Sequence, residues 1–203
     1  MEVATTGSER RLPGEKAQRI VEAMRSSVAR RGVAGSTFDH VAREAGVSRG
    51  LLHYYFGTKE RLLAEVVRHD ADVRMATLDE QMAAAATPDD VLAVMSATHG
   101  EMMDRDAEMV TLFFELFALS RRHEEIAAEF EGLVRRMREQ LAVVLRDKQA
   151  EGAVRLAAEP EAVADVLFAL ADGLAMRMLA EPDRDWSGAI EASVASARPL
   201  LDA

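Results

Sequence analysis

The segment STFDHVAREAGVSRGLLHYYFGTKERLL, residues 36–63, decides how the chain folds. Phe38, Val41, Ala42 and Ala45 recur at spacings of three and four, the apolar stripe of a short helix. Ser36-Thr37-Phe38-Asp39 ahead of it has the form of a capping box, with a hydroxyl for an orphan N–H and a carboxylate three residues on. Gly46 ends this helix, because glycine enters the left-handed C-terminal conformation at little cost. Ser48 then caps a second short helix, about Arg49 to Phe56, before Gly57-Thr58 breaks and re-caps the chain. Two short helices joined so tightly form a helix–turn–helix.

Packing assigns the residues of that unit. The first helix is small where it crosses the second, at Ala42 and Ala45, while Val47 plugs the angle and Leu51 or Leu52 anchors the second helix. Phe56 adds a further anchor. Arg49, Gly50, His53 and Tyr54 are left facing outward. They suit a DNA groove: Arg49 can donate two bonds to guanine, His53 can donate or accept, and Gly50 lets backbone approach closely. Tyr54 and Tyr55 carry phenols that can bond phosphate oxygens. Lys59 places a cation at a helix N-terminus, a costly choice that a phosphate nearby would reverse.

Outside this segment nearly every stretch also has helical periodicity, and no convincing strand is found. The predicted fold is all-α with about nine helices: a three-helix DNA-binding domain over residues 15–60 and a larger helical domain over 61–203. Residues 1–14 are expected to be a flexible arm, in which Arg10 and Arg11 could reach the minor groove or stay a basic tail. The expected helices span about Glu15–Arg31, Ser36 or Thr37 to Ala45, Arg49–Phe56, Lys59–Ala86, Pro88–Asp104, Asp106–Leu119, Arg122–Ala150, Pro160 to just before Pro182, and Ser187–Leu201.

Charge divides the chain the same way. Its net charge is −10, yet residues 1–60 hold ten Lys/Arg against seven Asp/Glu, whereas residues 61–203 hold fifteen against twenty-eight. A basic end on an acidic protein points to an anionic partner for that end. There is no cysteine, which excludes disulfides and thiolate metal sites. The opening residues lack the apolar run of a secretory signal, and no run of about 18 apolar residues occurs, so a cytoplasmic protein without membrane association is expected. Gly46-Val47-Ser48-Arg49-Gly50 spells the G-x-S-x-G of a hydrolase, but that motif works only on a strand-to-helix turn, so Ser48 is read as a cap. No catalytic residue, metal site or cofactor is predicted, and the chain is not expected to be an enzyme.

The run from Thr37 through GVSRGLLHYYFGTKERLL resembles the DNA-binding domain of the TetR family of bacterial transcriptional regulators. The features are a threonine, an Ala-Gly-Val turn, an aromatic cluster ending in phenylalanine, and a lysine soon after. The resemblance covers about residues 15–67 and extends in length and layout to the rest. It implies that Thr37, Ser48, Tyr54, Tyr55 and Lys59 lie against phosphates of double-stranded DNA, and that Arg49, Gly50 and His53 face base edges. The family usually has tyrosine where this sequence has His53. It further implies a homodimer on a palindromic operator and a small-molecule effector that releases a repressor; activation of transcription, or ligand binding without DNA, are the rival readings.

For the larger domain, Met75, Met95, His99, Met102, Met103, Phe113, Phe114, Phe117 and Met137 are the candidate effector pocket, since methionine lines adaptable cavities. The same side chains could simply fill a core. The dimer face is expected on the last two helices, at Val163, Leu167, Leu170, Ala171, Leu174, Met178, Ile190, Val194 and Ala197, where small residues allow close approach across a two-fold axis. Residues 113–126, FFELFALSRRHEEI, resemble the ligand domain of a subgroup related to the choline-responsive repressor; no ligand is assigned from this.

Overall fold

The computed structural model describes residues 14–203, so the predicted arm with Arg10 and Arg11 lies outside the described residues. The chain divides into two compact units, the first ending at Leu62 and the second spanning Leu63–Ala203. Among the described residues there are eight α-helices and no strand, only an isolated bridge between Arg155 and Asp202.

In the first unit, α1 (Gly14–Gly35) packs on α2 (Phe38–Ala45), and α2 on α3 (Arg49–Phe56). The expected apolar face of α1 is the one that is buried: Ile20, Val21, Met24 and Val28 join Phe38, Val41, Ala42, Leu52 and Phe56 in the core. Gly32 leaves helical geometry at φ 66° and ψ 172°, a region favouring glycine, which is where α1 was expected to stop. Arg30 and Glu44 tie α1 to α2 at 2.6 Å, and that hydrogen bond holds the Glu44 carboxyl below its ordinary range. The capping of α2 differs from the expectation. Ser36 is buried and donates to the Gly32 carbonyl at 2.9 Å, so Thr37 alone caps α2, accepting from the His40 N–H at 3.3 Å.

In the second unit, α4 (Lys59–Met82, beginning in the first unit) is followed by α5 (Pro88–Ser120), α6 (Glu124–Ala150), α7 (Pro160–Ala180) and α8 (Ser187–Ala197), with a 3₁₀ turn at Arg198–Leu200. A core of Leu78, Met82, Val91, Leu141, Leu145, Val163, Leu167 and Leu201 holds them together. Each such side chain withdrawn from water contributes roughly 1.5–3 kcal/mol. Lys148 is buried at the end of α6, where its Nζ donates to the carbonyls of Ala85 (3.0 Å) and Ala83 (3.3 Å) and pairs with Glu151 at 2.8 Å. It thereby satisfies the carbonyls just past the end of α4.

The two helices expected over Pro88–Asp104 and Asp106–Leu119 run on as one span, α5, that kinks at the expected junction. Only Asp106 departs from helical geometry, at φ −136° and ψ 31°. The sequence there, DRDAE, has neither proline nor glycine, so the helix bends without ending. The final helix stops at Ala197 rather than Leu201 because Pro199 cannot continue the ladder, and the chain tightens into the 3₁₀ turn.

The start of α5 is the strongest local signal. Thr87 accepts from the Asp90 N–H at 3.2 Å, and Asp90 accepts from the Thr87 N–H at 3.0 Å, with Pro88 at the first helical position. Replacing Thr87 by Ala is expected to cost about 1 kcal/mol and to lower the melting temperature by about 2–4 °C in thermal denaturation.

Candidate functional site

The first site is the outer face of α3. Ser48 opens this helix by accepting the Leu51 N–H at 3.3 Å, and Gly57, at φ 73°, closes it by donating to the His53 carbonyl. Leu52 and Phe56, four residues apart, are buried. Arg49, Gly50, His53 and Tyr54 are therefore presented outward, Tyr54 with 77% of its surface exposed. Tyr55 is half-buried, with its ring edge-on to Tyr54 at 5.3 Å. Ser48 lies between two helices, so its G-x-S-x-G setting lacks the strand that a nucleophile elbow requires.

The outward residues are available in different degrees. Arg49 reaches Asp39 at 3.3 Å, both well exposed, and such a surface pair is worth at most about 1 kcal/mol, so Arg49 can leave it. His53 stacks edge-on to Phe38 at 4.8 Å and places Nδ1 3.1 Å from the Gly57 carbonyl. That contact requires a proton on Nδ1, which leaves Nε2 of the neutral ring as an acceptor. A methyl group on Gly50 would meet nothing closer than the Ser48 hydroxyl at 3.9 Å. Lys59 is half-buried and donates to the Val33 carbonyl at 2.6 Å. The cost of a cation at the start of α4 is thus offset within the chain, with two further N–H groups left over. Thr37 is exposed and its hydroxyl is engaged in capping α2.

The second site is a cavity of about 160 Å³ within the second unit. Val67, Ala71, Met75 and Leu78 of α4, Met95, Met102, Met109, Phe113 and Phe114 of α5, Met137 of α6, and Phe168 and Ala175 of α7 wall it. Met75, Met95, His99, Met102, Phe113, Phe114 and Met137 all line this one cavity. Met103 and Phe117 do not line it. Met103 follows Met102 and so turns about 100° away on the same helix. Phe117 lies one turn beyond Phe113, 51% exposed, with its ring 5.7 Å from that of Phe130.

Polar groups in this wall are few. Arg74 pairs with Asp70 at 2.7 Å and with Asp106 at 3.2 Å. Desolvation holds the His99 imidazole below its ordinary pKa, and its Nε2 is buried with no hydrogen-bond partner. Asp172 is exposed by surface area, yet the wall it shares is apolar and desolvation pushes its carboxyl up to about 6. The sequence reading missed Asp172, although the run VLFALADGLAM, residues 166–176, holds it as a lone acid in an apolar helix.

The expected dimer residues are divided. Val163, Leu167 and Ala197 are buried in the chain's own core, with Leu170 and Val194 packed against it. Leu170, Ala171, Leu174, Ile190 and Val194 line a shallow groove of about 70 Å³ among α5, α7 and α8. Met178 is half-buried, while Val166 and Met176, which were not expected at the face, are 45% and 56% exposed.

Two family profiles match this chain, "bacterial regulatory proteins, TetR family" over residues 20–66 and "BetI-type transcriptional repressor, C-terminal" over residues 89–197. The chain belongs to the TetR family. This TetR-family protein is a helix–turn–helix transcriptional regulator whose C-terminal region is of the BetI repressor type. It is 29% identical over 184 residues to the HTH-type transcriptional regulator BetI of Rhizobium meliloti (strain 1021), covering 91% of this chain and 86% of that one. Solved structures share the fold. The regulator FadR of Bacillus subtilis, in complex with stearoyl-CoA, has a TM-score of 0.69 at 16% identity, covering 89% of this chain and 96% of that one. A candidate transcriptional regulator of Saccharomonospora viridis, in complex with choline, has a TM-score of 0.68 at 20% identity over 92% and 98% of the two chains.

Asp172 makes stability pH-dependent in a definite direction. Its carboxyl is easier to protonate in the folded chain than in the unfolded one, so folding takes up a proton and stability falls as pH rises from about 4 through about 6. Asp172→Asn should melt higher than wild type at pH 7, with the difference disappearing toward pH 4 in thermal denaturation across that range.

Proposed function

We propose that the protein is a cytoplasmic repressor that binds a palindromic operator as a homodimer and leaves it when a small molecule fills the cavity among α4–α7. The observation that carries this reading is the exposed face of α3. An exposed aromatic ring, an arginine held only by a surface ion pair and a glycine not demanded by packing stand together on a helix anchored from behind. Alanine at position 50 would fit within the chain and favour the helix by about 1 kcal/mol, so an outside surface is the better reason for glycine. Arg49, Gly50 and His53 read base edges in this account, while Thr37, Ser48, Tyr54, Tyr55 and Lys59 face phosphates.

The effector reading is supported by the cavity and by its walls. Val67, Ala71 and Met75 stand on the same unbroken helix as Lys59, so a ligand that shifts α4 at the cavity acts on the chain just after α3. A hundredfold release needs about 2.7 kcal/mol of coupling. Proteins of similar fold have been solved in complex with choline and with stearoyl-CoA, which supports a ligand-binding reading of this fold. No helix among the described residues is long and apolar enough to cross a membrane. For the dimer, the exposed Val166 and Met176 extend the expected apolar surface of α7 outward, beside the groove lined by Leu170, Leu174 and Ile190.

Selection from a random duplex pool should enrich an inverted repeat with half-sites about 34 Å apart. Arg49→Ala should change base preference at a defined position by about 1–3 kcal/mol, and uniform weakening over all sequences would overturn its base-reading role. Met176→Glu, at an exposed position, should leave the helical circular dichroism unchanged and give monomers in analytical ultracentrifugation; a persistent dimer would move the interface elsewhere.

A further inference from the structure

The outer face of α3 carries a defined set of donors and acceptors. His53 is exposed, yet its ring has little freedom: the Phe38 ring lies edge-on at 4.8 Å and the Gly57 carbonyl stands 3.1 Å from Nδ1. A carbonyl oxygen can only accept, so Nδ1 carries the proton and Nε2 of the neutral ring is left as a bare acceptor. Among the described residues Nε2 has no hydrogen-bond partner. Both constraints come from the chain itself, from the first residue of α2 and from the residue that closes α3. The acceptor is therefore set before any DNA is met.

Arg49 is the opposite case. It stands one turn earlier on the same helix, and its guanidinium can only donate. Nη1 reaches both Asp39 oxygens, at 3.3 and 3.4 Å, while Nε and Nη2 make no hydrogen bond among the described residues. Four residues of α-helix rise about 6 Å and stacked base pairs are about 3.4 Å apart, so the two side chains address pairs about two steps apart or fewer. A fixed acceptor and a donor fork are thus set against neighbouring base edges.

In the major groove the donors that a base can offer such an acceptor are cytosine N4 and adenine N6. Adenine sets N7, an acceptor, beside N6, and is matched by a side chain that both donates and accepts. His53 has spent its one N–H on Gly57, so it would meet N7 acceptor against acceptor. Cytosine carries no acceptor on its own major-groove edge. We infer that His53 is a specificity-determining residue that selects cytosine, with Nε2 accepting from the N4 amino group, while Arg49 takes a guanine within two base pairs of it. This rests on the operator reading above and specifies part of the half-site.

Selection from a random duplex pool at pH 8, with the full chain and with its His53→Ala variant, identifies the position that this residue reads. Wild type should show cytosine there, with guanine no more than two pairs away. His53→Ala should lose the preference at that one position and keep the rest of the half-site, with the circular dichroism of wild type. His53→Arg, which can only donate, should turn the same position to guanine. A second measurement needs no variant to fold: replacing each C·G pair of the selected half-site by T·A in turn should weaken wild-type binding about tenfold at a cytosine within two pairs of a guanine. A half-site indifferent to every such replacement overturns the proposal. Adenine, guanine or thymine at the position lost in His53→Ala overturns the choice of cytosine. Uniform weakening over all sequences by His53→Ala, or cytosine retained by His53→Arg, overturns the role of His53. A pool from which the full chain enriches no duplex at all overturns the operator reading itself, so the two failures are seen separately.

Discussion

A helix of eight residues has no stability of its own in water, since nucleation fixes more dihedrals than it gains hydrogen bonds. Everything that α3 presents depends on how this deficit is met. Ser48 and Gly57 satisfy its ends, and Leu52 and Phe56 drive it into the core made by α1 and α2. With both anchors on one side and four residues apart, the opposite side is determined: Arg49, Gly50, His53 and Tyr54 can be polar, small or aromatic without affecting the core. Tyr54 could not be 77% exposed on a helix that needed it for packing.

The second unit resolves the opposite problem. It has apolar residues in excess, and part of the excess surrounds space rather than other side chains. A filled core would gain dispersion contacts that this cavity forgoes. Methionine makes such an arrangement tolerable, because it can follow whatever occupies the space; five of the residues around the cavity are methionines. Lys148 and the Thr87–Asp90 box secure the far end of α4 and the start of α5, so the loosely packed middle lies between well-satisfied termini.

The difference in legibility between the two units follows from this contrast. In α2 and α3 each turn or cap has a residue chosen for it, and the boundaries of α3 at Arg49 and Phe56 can be read from Ser48 and Gly57 directly. At Asp106 the marker is weaker, because one residue can leave helical geometry without proline or glycine, and the junction expected there between two helices is a kink within α5. Around the cavity, helical periodicity was enough to separate Met75 and Phe113 from the surface but not Met103 from Met102, which needs the rotation of α5 against its neighbours. On α7 both faces are apolar. Periodicity therefore cannot separate core residues such as Val163 and Leu167 from interface residues, nor show that Asp172 faces the cavity.

Asp172 and His99 are both polar groups in a largely apolar wall. Each is penalised by its apolar surroundings. A ligand that completes both groups lowers the free energy of whichever arrangement of α4, α5 and α7 brings them within reach, and it does nothing for arrangements that hold them apart. Differential stabilisation of this kind is the condition for a ligand to shift a conformational equilibrium at all. A cavity lined only by methionine and phenylalanine would bind apolar molecules with little preference between arrangements, because dispersion contacts re-form as the wall moves.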